Sequence, residues 1–339
     1  MRAMEVSRFG GPEVFRMTEG LDPEPGPGEV TVRVEAAGIN FADILARMGL
    51  YPDAGDPPFV TGYEFAGRVE SVGEGVGERE EGQLVVGMRD FGCYADRVKV
   101  PAGLTFPLEE GSDPVRAAAI PVAYLTAWHA LVYMGNLHGG ERVLIHNAGG
   151  AVGSAAVQIA RHRGAEILGT SSPGKHDWLR ELGVDHPIDY RTGGWTDRVR
   201  EITGGEGVEM ILDPMGGAYV KEGFELLAPT GRLVCYGVSS FAPGKEKSWL
   251  KAVWEVFRAP RFNSLRLMTK NRGVFGVHLG HLWKKAEMLR SEFERILEGV
   301  EEGYLDPAVD ATFPLENAAS AHHYIQDRKN RGKVVLTIS

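Results

Sequence analysis

The stretch that decides the fold is 141-ERVLIHNAGGAVG-153. Its opening "RVLIH" reads as a buried strand. The residues that follow the glycines, "VGSAAVQIARHRG", carry apolar side chains at helical spacing and end at Gly164, a plausible stop. Strand, glycine turn and helix in that order form the setting that a dinucleotide fingerprint, G-x-G-x-x-G, requires. Ala148 occupies the first glycine position, and Gly150 and Gly153 occupy the other two. Gly150 allows a pyrophosphate to approach the backbone and Gly153 allows the helix to pack closely on the strand, while Ala148 demands a turn without positive φ at that residue. The loop Ala148, Gly149, Gly150, Ala151, Val152, Gly153 thus reads as a phosphate cradle at a helix N-terminus.

The next strand, 165–170, runs into "GTSSPGKHDW". An NAD site usually places Asp or Glu there for the ribose hydroxyls. This chain places Ser171, Ser172 and Lys175 instead, and hydroxyls with an ammonium suit a 2'-phosphate, so the expected cofactor is NADPH. Tyr190, ending the third strand in "HPIDY", is expected to close the same pocket. Strands at 142–146, 165–170, 186–189, 208–213, 231–237 and 273–278, with helical segments between them, complete a doubly wound parallel six-stranded Rossmann sheet.

Upstream, "EVTVRVEAAG", "EFAGRVESVG" and "YADRVKV" show partial alternation among many glycines and prolines, which predicts an antiparallel, partly barrel-like β domain. The fold class is therefore α/β with two domains, as a chain of 339 residues is too long for one ordinary core. The expected boundaries are 1–119 for the β domain, 120–278 for the nucleotide domain and 279–339 for a return to the first domain. A formal charge of -9 disfavours a nucleic-acid partner, and two cysteines, Cys93 and Cys235, exclude a disulfide framework or a cysteine-rich zinc lobe. "MRAMEVSRFGG" has charges where a signal peptide needs an apolar core, so a cytoplasmic location is expected.

Taken together, "AAGINFADILARMGLYP", "GYEFAGRVESVGEGV", "AAAIPVAYLTAWHAL", "NAGGAVGSAAVQIA", "HPIDY", "DPMGG" and "NRGVFGVHLGHL" resemble, in order and spacing, the zinc-independent quinone oxidoreductase branch of the medium-chain dehydrogenase/reductase superfamily, and most closely its VAT-1-like subgroup. The resemblance implies a GroES-like catalytic domain, an active site in the cleft between domains, NADPH and a homodimer. It also implies that Met215, Gly237, Phe275, Val277 and Asn330 lie along the cofactor. Zinc-dependent relatives carry cysteine, histidine and cysteine where this chain has Asn40, Tyr63 and, approximately, Val122, so a catalytic zinc lacks its ligands there. Without a Lewis acid, the expected acceptors are already electrophilic: quinones or other α,β-unsaturated carbonyls.

Asn40, Tyr51 and Tyr63 are the candidates for lining that site. Equally economical readings make Asn40 a turn cap, Asp43 a helix cap and Tyr51 a packing partner of Pro52. His278 with His281, and His322 with His323, are pairs short of a metal-ligand set, and no metal is expected at either. Finally, residues 244–272 carry eight basic and two acidic side chains with an apolar stripe of Trp249, Leu250, Val253, Trp254 and Phe257. This segment reads as a dimer interface or substrate lid, with a weak membrane-surface contact as the alternative.

Overall fold

The structure, a computed structural model, describes residues 1–241 and 260–339. The apolar stripe from Trp249 to Phe257 lies outside the described residues.

The nucleotide domain is built on six parallel strands: β9 (Arg142–Ile145), β10 (Glu166–Ser171), β11 (His186–Asp189), β12 (Val208–Asp213), β13 (Leu227–Cys235) and β14 (Gly273–Gly276). Their order across the sheet is β11-β10-β9-β12-β13-β14, so the chain starts at the centre and winds outward in both directions. All six expected strands are present. β13 begins at Leu227, four residues earlier than the pattern suggested, because its pairing with β12 continues through an irregularity to Val208. Val143, Leu144, Ile145, Ile211 and Leu212 are wholly buried between the helical layers, as sandwiching of a parallel sheet on both faces requires.

The other domain carries β1 (Arg2–Val6), β2 (Phe15–Glu19), β3 (Glu29–Gly38), β4 (Phe59–Val60), β5 (Glu64–Val72), β6 (Leu84–Met88), β7 (Arg97–Pro101) and β8 (Thr105–Pro107). It is largely antiparallel, and β7 pairs with β3 off the main path to bend the sheet toward a barrel. The C-terminal strands β15 (Val309–Pro314) and β16 (Lys333–Thr337) enter this sheet beside β3. They pair with each other in parallel, a departure from the antiparallel pattern, because the helix Ala318–Gln326 carries the chain back between them.

A helical run from Pro114 to Met134 joins the domains. It is long and apolar enough to cross a bilayer, with a mean hydropathy of 1.3, yet 72% of that window is buried inside the protein. Its neighbours explain the composition: Leu125, Leu131, Leu289 and Phe293 share one core with Val143 and Ile159. The run ends in a π-helical turn, His129–Met134, where buried His129 meets Glu292 of the helix Ala286–Glu301 at 3.0 Å. This contact ties the helix Ala286–Glu301 to the joining helical run.

Candidate functional site

The glycine loop follows β9 directly. Ala148 indeed avoids positive φ; the left-handed residue is its predecessor Asn147, at φ 52°, a conformation asparagine tolerates better than most side chains. Gly150 is the extended N-cap of the helix Ala151–His162. A Cβ on Gly153 would lie 2.2 Å from the Asn147 carbonyl oxygen and 2.7 Å from the Ala148 Cα, so the helix and strand pack as closely as the sequence suggested. Ala151 and Val152 form the first turn, and Gly332 N–H donates to the Gly149 carbonyl at 3.1 Å, tying the loop to the chain entering β16.

Lys175 is not a solvated helix-start lysine. It is 9% exposed, its aliphatic stem covers Gly149, and its ammonium donates to the Asn330 carbonyl. Burial lowers its pKa to about 8, opposed by the charge of Asp310 and reinforced by Arg331 and Arg328. Arg331 donates to the Gly174 carbonyl at 3.1 Å, and Arg328 donates to the Tyr190 hydroxyl at 2.8 Å. Ser171 is buried, with its hydroxyl on the Ser172 carbonyl, and Ser172 is half-buried beside it. The ends of β10 and β11 therefore meet a cluster of three cations. Arg328 and Arg331 were not anticipated; their only sequence signal is the basic run "RKNR" ahead of the last strand.

Met215 and Gly237 face each other across the ends of β12 and β13, where Ser240 N–H donates to the Met215 carbonyl and Gly237 backs onto Pro214. Phe275 is half-buried on β14, and Val277 N–H donates to the Cys235 carbonyl at 2.9 Å. Asn330 donates from its side chain to the Gly332 carbonyl. All five residues border the C-terminal edge of the sheet, where open α/β sheets bind ligands. Asp213, at the end of β12, was not anticipated. It is fully buried and accepts from Met215 N–H and from Gly216 N–H at 3.0 Å, while its second oxygen has no partner among the described residues. Burial raises its pKa to about 6 against those two hydrogen bonds.

Across the cleft, β3, β5 and β16 end together. Asn40 follows β3, Glu64 opens β5 and Lys333 opens β16, and the three side chains form one buried network. The Lys333 ammonium donates to Glu64 Oε1 and, at 2.7 Å, to Asn40 Oδ1; Asn40 Nδ2 donates to Glu64 Oε1 at 2.7 Å. Val122 N–H, in the first turn of the helix Pro121–Trp128, donates to Glu64 Oε2 at 2.7 Å. Asn40 is the N-cap residue of the helix Phe41–Arg47 and forms a capping box with Asp43. Asp43 accepts from Asn40 N–H at 2.7 Å, and it also accepts from Thr61 Oγ and Gly62 N–H. Burial raises Asp43 to about 6 despite these donors.

The two tyrosines do come together. Tyr51 and Tyr63 meet edge to face with ring centres 6.1 Å apart, and Phe91 lies 5.0 Å from Tyr63, giving an aromatic wall rather than a pairing of Tyr51 with Pro52 alone. The Tyr63 hydroxyl is buried and makes no hydrogen bond of normal geometry among the described residues; the Tyr51 hydroxyl is its near neighbour and couples to it electrostatically, too loosely placed to satisfy it. Burial, and then the Asp43 charge, hold it far above the ordinary phenol range, so it remains a donor. Tyr51, pushed up to about 12 chiefly by burial, bonds through its hydroxyl to His278 Nε2 at 3.1 Å across the cleft. His278 is thus a site neighbour that the sequence reading set aside. His322 and His323 are structural: His322 is buried against Phe15 and reaches the Tyr94 hydroxyl, and His323 pairs with Glu13.

The donor set at the three positions aligned with zinc ligands does not fit a soft-ligand zinc site, because it comprises an amide held by an ion pair, a phenol and a valine whose amide is already donated. Comparison with known proteins agrees with the architecture. Residues 26–110 match the alcohol dehydrogenase GroES-like domain, and residues 182–336 match the zinc-binding dehydrogenase family. The chain is 37% identical over 342 aligned positions to the mouse synaptic vesicle membrane protein VAT-1 homolog, covering 99% of this chain and 83% of that protein. The mycobacterial protein Rv1454c complexed with NADPH superposes with a TM-score of 0.88 at 31% identity, covering 99% of this chain and all of that one. JamJ enoyl reductase superposes with a TM-score of 0.88 at 27% identity, covering 100% and 99% of the two chains. With one sheet that winds outward from a glycine loop, a second that closes over it and relatives aligned along nearly its whole length, the chain belongs to the medium-chain dehydrogenase/reductase superfamily, beside the VAT-1 homologues.

Proposed function

We propose that this protein is an NADPH-dependent reductase of quinones and other α,β-unsaturated carbonyl compounds. The observation that carries the reading is the unpaired, buried Tyr63 hydroxyl in an aromatic wall, on the opposite side of the cleft from a glycine loop flanked by three cations. An orphaned buried donor is costly unless a ligand completes it, and a carbonyl oxygen that gains negative charge is the partner that rewards it most.

The loop Ala148–Gly153 would hold the pyrophosphate, and Lys175, Arg328 and Arg331, with the Ser171 and Ser172 hydroxyls, would hold the 2'-phosphate, with Tyr190 alongside. Met215, Gly237, Phe275, Val277 and Asn330 would border the rest of the dinucleotide. When bound, NADPH supplies the hydride. Tyr63 donates to the acceptor oxygen, Tyr51 and Phe91 pack on its conjugated plane, and Asn40 is held by Glu64 and Lys333 at the floor of the same site. Solvent protonates the resulting enolate or quinol anion. The enoyl reductase and NADPH-bound relatives support this acceptor class and cofactor. A cytoplasmic homodimer is the form we assign to it.

Steady NADPH oxidation with a panel of quinones and enones tests the proposal, with anaerobic product analysis to identify the reduced bond. Turnover of quinones supports it, whereas turnover of enones with little quinone activity would identify a 2-alkenal or enone reductase instead. Tight NADPH binding without turnover across the panel would refute it and point to a cofactor-binding adaptor.

A further inference from the structure

The mouth of the cleft carries a cluster that neither the phosphate loop nor the aromatic wall uses. His278 and His281 come from the loop after β14, and Asp53 comes from the loop after Tyr51 in the other domain. Asp53 Oδ2 lies 3.0 Å from His281 Nε2 and 3.5 Å from His278 Nε2, the two imidazoles stack with centres 4.0 Å apart, and the three ligand atoms all lie within 4.8 Å of one another. The pair "HLGH" offers two ligands in sequence; folding adds the third from 228 residues away.

The spacing is informative. Zinc bonds of ~2.0–2.2 Å at a tetrahedral angle place neighbouring ligand atoms roughly 3.3 Å apart, and the two Asp53 distances straddle that value. Two imidazoles and a carboxylate are a borderline donor set suited to Zn2+ and its first-row neighbours rather than to Mg2+ or Ca2+. The side chains are 40–65% exposed, so the remaining coordination positions open to solvent and an ion can enter and leave.

We propose that Asp53, His278 and His281 form an exchangeable site for a divalent transition-metal ion, Zn2+ by donor set, that ties the two domains together at the cleft mouth. The same nitrogen of His278 that faces Asp53 is also hydrogen-bonded to the Tyr51 hydroxyl. Metal binding at Nε2 therefore displaces Tyr51 and pins the two loops, which inhibits turnover. The ion is a clamp and takes no part in hydride transfer. The inhibition arm rests on the reductase reading, whereas the binding arm does not.

The test is titration of untagged, chelator-treated protein with Zn2+ alone by calorimetry, and with Co2+ by its visible absorption. One equivalent should bind. Asp53→Asn and His281→Ala, both at exposed positions clear of the aromatic wall, should each weaken binding by about tenfold or more, and His281→Ala should lose the Co2+ spectrum. In the reductase assay Zn2+ should lower kcat of the parent protein and leave His281→Ala far less affected. Absence of a stoichiometric site, or binding unchanged in both variants, would overturn the site. Equal inhibition of parent and His281→Ala would overturn the clamp.

Discussion

Replacing Lys175 with methionine keeps the stem that covers Gly149 and removes the charge. A charge-assisted hydrogen bond is worth about 1.5–3 kcal/mol, so with Arg328 and Arg331 still present the NADPH dissociation constant should rise roughly 10- to 100-fold. NADH, which has no 2'-phosphate for the ammonium to meet, should change less than about threefold. The buried ammonium adds a second signature. With its pKa near 8 in the free protein, Lys175 is charged at neutral pH and mostly neutral one unit above that value. The phosphate remains dianionic over this range, since its second pKa is about 6. Binding then requires the lysine to take up a proton, and the NADPH dissociation constant should rise about tenfold between pH values one unit below and one unit above the lysine pKa. Lys175→Arg should bind NADPH without that rise, because a guanidinium stays protonated, and Lys175→Met should be weak at both ends. Fluorescence titration of both nucleotides across the range measures all of this. Equal losses for NADPH and NADH in Lys175→Met, or a parent profile no steeper than that of the arginine variant, would refute the 2'-phosphate assignment.

Three further expectations concern groups whose buried polar atoms are incompletely paired or closely coupled. Tyr63→Phe removes a hydroxyl with no hydrogen bond of normal geometry, so stability should hold or rise by ~1 kcal/mol while kcat falls about a hundredfold; an unchanged kcat would remove Tyr63 from the site. Asp213, raised to about 6 by burial, binds its proton more tightly folded than unfolded. Its contribution is therefore fully present below the unfolded value of about 3.9 and is lost as pH rises through 6, up to ~3 kcal/mol. Asp213→Asn should match the parent only below about pH 4 and melt about 4 °C higher in mild alkali, a divergence visible by calorimetry; a constant offset at all pH values would contradict it. Lys333→Met strands Glu64 in the interior and should cost about 3–5 kcal/mol in urea unfolding, most of it recovered when Glu64→Gln is added. No recovery in the double variant would mean that packing, not charge, holds this corner together.

The parts of the molecule that were legible in the sequence are those whose chemistry is contiguous. The strand, glycine turn and helix lie where the sequence puts them because they follow one another within 141–164, and the serines and Lys175 stand at the end of β10, where an acid is missing at a fixed offset. Even the local exception, Ala148, had a local consequence, the transfer of positive φ to Asn147. What escaped notice was assembled by closure of the sheets. Lys333 reaches Glu64 across 269 residues, the Lys175 ammonium finds the Asn330 carbonyl across 155, and Asp53 meets His281 across 228. A faint signal existed for the first of these: Glu64 and Lys333 are opposite charges that each open a strand with three uncharged, buried residues directly after them. Such a charge is tolerated only with a partner, but nothing in the sequence says which strand provides it.

That ion pair also explains what kind of chemistry this cleft favours. Both oxygens of Glu64 are engaged, one by Lys333 and Asn40 and the other by Val122 N–H, so the former ligand positions are tied into one hydrogen-bond network that already neutralises the carboxylate with an ammonium. Breaking it exposes a buried charge, so the network resists being recruited as a ligand set. Polarisation of a substrate carbonyl must then come from neutral donors held above their titration range, of which Tyr63 is the one left unpaired. A single neutral hydrogen bond stabilises an oxyanion less than a Lewis acid does. The deficit must be made up by the acceptor's own conjugation, which spreads the arriving charge. On the reductase reading proposed above, the residues that leave no zinc ligand set at these positions would favour acceptors whose own conjugation spreads the charge.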